Sequence, residues 1–102
     1  MSTVARILGD FAAGFPAGDL PSLALERAKM SLASTLASAS AGYAIESARI
    51  VRGIEQAAGG RPSASVWFDS GCLPADRAAR VNAVASDAAA CDDSDMRSIA
   101  HI

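Results

Sequence analysis

"DLPSLALERAKMSLASTLASASAG", residues 19–42, decides the fold. Leu25, Ala28, Leu32, Leu36 and Ala39 recur every three or four residues, the spacing that lines up side chains on one face of an α-helix. Asp19 can cap such a helix, Pro21 fits its first turn, where a missing N–H costs little, and Gly42 can stop it. The stretch therefore predicts a long helix from Leu20 to about Ala41. From Ser31 onward its other positions are nearly all Ala, Ser or Thr. Small side chains around most of a helix let neighbours approach closely, so this element is expected in the middle of a helical bundle.

Helices are also predicted on both sides of it. Before it, Thr3 to about Gly14 carries Val4, Ile7, Leu8 and Phe11 in one stripe behind Ser2 or Thr3 as a cap, and "FPAGDLPS" breaks the chain. After it, Ile45 to Ala58 is expected to turn Ile50, Val51 and Ile54 inward and Glu46, Arg49, Arg52 and Glu55 outward, with Gly59 and Gly60 as its end. "ASVWFDSG", residues 64–71, gathers the β-branched and aromatic residues and reads as a short extended segment or a buried connection, with Trp67 as a packing anchor. A fourth helix starts near Leu73 with Pro74 in its first turn; Arg77 and Arg80 share one side, and Ala78, Val81, Ala85 and Ala88 another. The fold class is all-α, about four helices with one short extended segment. No internal repeat or domain boundary interrupts it.

The totals narrow the possibilities. A hydrophobic content of 51% in 102 residues fits one globular domain or part of one, and argues against disorder. Aromatics make up only 5%, so a core built from this segment alone is low in volume, and the element is expected to lean on something else. A net charge of -2 with scattered basic residues gives no footprint for nucleic acid. Cys72 and Cys91 have no metal-like spacing and are expected as small buried or half-buried side chains in a reducing compartment. Arg6 and Asp10 interrupt the first apolar run, which is unlike a signal peptide. The longest uncharged stretch, Met30 to Ile45, falls short of the ~20 apolar residues of a membrane span, so a cytoplasmic chain is expected.

The C-terminal stretch "SDAAACDDSDMRSIAHI", residues 86–102, carries the chemistry. Asp87, Asp92, Asp93 and Asp95 are followed by His101, the chain's single histidine. Three readings of these residues stand side by side. A carboxylate beside an imidazole can exchange protons as acid and base. Closely spaced carboxylate oxygens suit a hard divalent cation, although the glycine and glutamate of an EF-hand loop are missing. Aspartates also simply close turns and cap helices.

The order of features adds to this. "ILGDFAAGF", "DLPSLALERAKMSLASTLASASAG", a helix ending in "AAGG" before "ASVWF", and then "LPADRAARVNAVASDAAACDDSD" with "AH" together resemble the start of the MmgE/PrpD family. That family includes 2-methylcitrate dehydratase, cis-aconitate decarboxylase and iminodisuccinate epimerase. The family's helix typically reads Asn-Gly or Asn-Ala, then His, then "DFDDTH" and a later His-Pro-Gly. Here Asn82 and Ala83 match the opening, while Asp87 stands where a histidine is common. Ala90 and Cys91 replace the first Asp-Phe, Asp92 and Asp93 match the aspartate pair, and Ser94 matches the threonine. Asp95 stands for the usual histidine, and His101 matches the histidine before proline, with Ile102 in the proline's place. Ser34 stands where many members carry an aspartate on the long helix. With these departures the stretch looks closer to the epimerase-like branch than to the dehydratases.

The resemblance implies a large helical domain that this N-terminal part helps to build, with a separate α/β lid from later sequence, a homodimer, and no cofactor or metal. It implies proton removal next to a carboxylate of a small di- or tricarboxylic acid, followed by dehydration, decarboxylation or epimerisation. Asp92, Asp93 and His101 are the catalytic candidates, and Asp87, Asp95 and Arg97 the substrate-binding ones. A polyanionic substrate also needs several cations, and around the acidic end only Arg97 and a protonated His101 are available. Residues 1–102 are thus expected to be a partial N-terminal helical domain, an N-terminal fragment inactive alone. The rival expectation is a free-standing helical binding or assembly module, and a metal-binding module is the third.

Overall fold

The computed structural model describes residues 3–91, 94–95 and 100–101. Four helices appear in chain order: α1 (Val4–Gly14), α2 (Ser22–Gly42), α3 (Glu46–Ala58) and α4 (Ala75–Ala88). Two small antiparallel pairs accompany them, β1 (Ala64–Ser65) with β2 (Cys72–Leu73), and β3 (Ser94–Asp95) with β4 (Ala100–His101). The chain is mostly helical, as its periodicities predict.

Local chemistry sets the boundaries. The Thr3 hydroxyl accepts a hydrogen bond from the Arg6 N–H at 3.3 Å and caps α1. Asp19 does not cap α2; it closes a short 3₁₀ turn, Ala17–Asp19, and Pro21 takes the cap position. Gly59 and Gly60 end α3 with φ of 65° and 112°, conformations that residues with a Cβ rarely adopt.

α4 is the hub. The C-terminal half of α2 and the inner side of α3 both pack on it, and β1 and β2 lie against it. Two small clusters form the core: Val66, Leu73, Ala78 and Val81, and beside them Ala39, Ala48 and Ala85, with Trp67 against the second. Trp67 is the packing anchor that its composition suggests. The close approach expected of α2 is realised at Gly42, where a Cβ would stand only 2.0 Å from the Ala85 carbonyl oxygen. Gly42 is thus an interior contact of α2 rather than a left-handed stop: Tyr43, which follows it, is still right-handed helical.

Other expectations are corrected. Leu25 and Leu32 are exposed, and the buried residues of α2 are Ser38, Ala39 and Gly42. At 1.5 Å per residue α2 is about 31 Å long and α4 only about 21 Å, so α4 cannot cover the leading half of α2. α3 is turned the other way from its apolar stripe. Ile50 and Ile54 are 55% and 62% exposed, whereas Ala48 and Glu55 are buried and Val51 and Arg52 half-buried. The reason lies in its partners. Glu55 accepts a hydrogen bond from Arg80 at 2.6 Å and lies 3.7 Å from Arg77, both on α4, so its charge is met on burial. Both cysteines are exposed rather than buried. Side chains alternate along β2, and Leu73 takes the inward side that Cys72 leaves. Cys91 follows a chain reversal at Ala90, which has φ 51°.

Candidate functional site

The site is built along α4. Asn82 sits on the helix's buried side, where an unpaired amide would be costly. Its Oδ1 accepts from the Trp67 N–H at 2.9 Å, and its Nδ2 donates to the Ser65 carbonyl at 3.2 Å. One amide thereby clips the segment after β1 to α4. Between α2, this segment and α4 opens a groove of about 660 Å³, bounded by Thr35, Ser65, Trp67, Asn82, Ser86 and Asp87 with a floor of alanines. The Thr35 and Ser86 hydroxyls donate to the Ser31 and Asn82 carbonyls, so both face the groove with their donors already used.

A second polar cluster locks the connections at the other side. The Tyr43 hydroxyl donates to Asp69 Oδ2 at 2.9 Å, and the Gly71 N–H donates to Asp69 Oδ1 at 2.9 Å. Arg52 lies 3.9 Å from the centre of the Tyr43 ring, 3.8 Å from the Asp69 carboxylate, and donates to the Tyr43 carbonyl. The Gly71 N–H, the Tyr43 hydroxyl and the Arg52 charge together hold the Asp69 carboxyl below its usual range. The same bond to Asp69, with burial, pushes the Tyr43 phenol up. This cluster ties α2, α3 and the β1–β2 connection together.

Of the site residues expected from sequence, Asp87 is exposed in the last turn of α4 and lies at the rim of the groove. Its carbonyl accepts from the Ala90 N–H at 2.8 Å, which turns the chain out of the helix. Asp92, Asp93 and Arg97 lie outside the described residues, as do the side chains of Asp95 and His101. The backbone of the last two is placed. β3 and β4 pair antiparallel, with Ser94 opposite His101 and Asp95 opposite Ala100. His101 therefore returns beside the residue that follows Asp93 in the chain.

Sequence reasoning missed Asn82 as a structural clip and the Tyr43–Asp69–Arg52 cluster. Asn82 was legible: it falls on the stripe of Ala78, Val81 and Ala85, where an amide demands partners. Among the described residues no three His, Cys, Asp or Glu side chains stand close enough to hold a metal ion. Among the same residues no helix is long and apolar enough to cross a membrane.

Comparison with curated proteins and with solved structures returned no match. A family model does match: the MmgE/PrpD N-terminal domain, over residues 6–102. The match runs from α1 through the α2–α4 seam and the clipped segment to the hairpin that carries His101. This chain belongs to the MmgE/PrpD family, as its N-terminal domain.

Proposed function

We propose that this chain forms one wall of the active site of a cytoplasmic lyase or isomerase acting on a small di- or tricarboxylic acid. Asp92, Asp93 and His101 exchange the proton next to a substrate carboxylate, and Asp87, Asp95 and Arg97 border the substrate. The outcome is dehydration, decarboxylation or epimerisation, without a cofactor. The observation that carries this reading is the Ser94–His101 pairing, which returns the single histidine to the acidic run. A proton shuttle needs such proximity before any tuning of acidity matters.

The wall is incomplete by itself. A substrate with two or three carboxylates calls for several cationic groups. Three arginines of α3 and α4 are already engaged internally, Arg52 with Asp69, and Arg77 and Arg80 with Glu55. The remaining cations come from other sequence, and the chain alone is inactive. The exposed apolar residues of α1 and α2 favour this over a self-contained binding module.

The test is turnover of di- and tricarboxylates followed by proton NMR, with the chain alone and mixed with the remainder of an MmgE/PrpD enzyme. Turnover is expected only in the mixture, and it should disappear with His101→Ala, Asp92→Asn or Asp93→Asn. Turnover by the chain alone above its His101→Ala control, or a mixture indifferent to all three substitutions, overturns the proposal.

A further inference from the structure

α4 has a charged side and an uncharged one. Arg77 and Arg80 turn toward α3, where both meet Glu55. Toward α2 and the segment after β1, the helix presents Ala75, Ala79 and Ala83 to the groove of about 660 Å³. The groove is long: from Ala75 to Ser86 is three turns of α4, about 16 Å at the helical rise. Its volume is that of a pocket for a small ligand.

The groove's chemistry selects which part of a ligand it accepts. A carboxylate taken out of water needs donors or a cation to offset the loss. Among the described residues, none that lines the groove is Lys, Arg or His. The Thr35 and Ser86 hydroxyls donate to carbonyls of their own helices, and the Asn82 amide is bonded at both its oxygen and its nitrogen. Asp87, the charged residue of that lining, is itself acidic and repels a carboxylate. What remains is a strip of alanine methyls with Trp67. We propose that the groove holds an extended, uncharged hydrocarbon arm of the substrate, several carbons long, and leaves the carboxylates outside it, past the Asp87 end. Continuity with the proposed site favours substrate over a packing helix as the occupant: Asp87 closes α4, and the chain passes from there into the acidic run that carries the catalytic candidates. The inference rests on the reading above and narrows it, from a bare di- or tricarboxylic acid to an alkyl-substituted one.

Trp67, the single tryptophan, lines the groove and reports its occupancy. Titrating the 102-residue chain with alkylsuccinates from methyl to hexyl should shift its emission to the blue. The dissociation constant is expected to fall about two- to fourfold with each added methylene, and succinate itself should leave the spectrum unchanged. Ala79→Leu and Ala83→Leu fill the groove from exposed helix positions that tolerate leucine. Helicity by circular dichroism should hold in both, while hexylsuccinate binds about tenfold more weakly or worse. Leu8→Ser, on the exposed stripe of α1, should leave binding unaltered. An unmoved spectrum, or an affinity flat with chain length, overturns the inference and gives the groove to a helix of the remaining polypeptide. So does binding that is indifferent to both leucine variants, or that Leu8→Ser abolishes. These readouts need no turnover: a failure of the proton-exchange reading leaves them standing, and turnover in the mixture beside a flat chain-length series removes the arm alone.

Discussion

Gly42 on α2 meets the Ala85 backbone of α4 with no room for a side chain: the space where a Cβ on Gly42 would sit is 2.0 Å from a backbone oxygen. A backbone atom cannot rotate away as a side chain can. Gly42→Ala must therefore push the two helices apart along the most extensive helix–helix seam of the fold. We expect a loss of about 3 kcal/mol, at the upper end of overpacking costs, read as a lower urea midpoint by circular dichroism. A midpoint within error of the parent would show that α4 shifts freely.

Asn82 serves two backbone groups at once. Asn82→Ala strands the Trp67 N–H and the Ser65 carbonyl, at a cost of about 2–4 kcal/mol. Since Trp67 is the single tryptophan, its fluorescence reports the release directly. A red-shifted emission in the native baseline is expected, and Asn82→Asp, which keeps the acceptor but loses the donor to Ser65, should fall between the two.

Glu55 is buried while its partners are not. Arg80 is 65% exposed and can return to water when the carboxylate is removed, so Glu55→Gln should cost only about 1–2 kcal/mol. Arg80→Ala alone should cost less, because Arg77 remains beside Glu55. A larger loss for Arg80→Ala than for Glu55→Gln would contradict this ordering.

Asp69 gives the fold a pH dependence of known sign. Its folded pKa lies below the ordinary carboxylate value, so the folded state favours the ionised form. The stabilisation is fully present above that ordinary value and is lost as pH falls through the lower, folded value. Unfolding midpoints measured down through the acid range should drop, and Asp69→Asn should flatten part of that drop while lowering stability at neutral pH.

Ala90 holds a positive φ without being glycine. The left-handed conformation costs an L-residue about 1–2 kcal/mol, so Ala90→Gly should raise stability by up to about 1 kcal/mol, seen as a higher thermal midpoint. No gain would mean that this turn relaxes out of the left-handed region.

The helices were legible because apolar periodicity and Pro–Gly punctuation act locally. The inward face of α3 was not. Ile50 and Ile54 look like a core stripe, yet the face that packs is decided by Arg77, Arg80 and Asp69, which lie some distance along the chain. Burial of Glu55 depends on those distant charges, and no local spacing announces them. For the site, residue type pointed to Asp87, Asp92, Asp93, Asp95 and His101, and of these the fold adds the rim position of Asp87, the pairing of Asp95 with Ala100 and the return of His101 to Ser94. Asn82 was singled out only as a sequence match, although its place on a buried stripe already implied a bonded amide.

α2 passes from bare helix to packed helix without a break, and its two halves differ in how easily they open. Beyond Ser34 its amides are shielded by α4, and their exchange with deuterium requires the seam to part. Ahead of Met30 helix propensity and the exposed Glu26–Lys29 pair hold the turns closed, and a short helical stretch in water opens readily. One continuous helix thus carries a gradient of protection factors. Arg27 and Lys29, at its open end, are where trypsin should make its first cut in an isolated chain, leaving the α2–α4 seam intact as the resistant core.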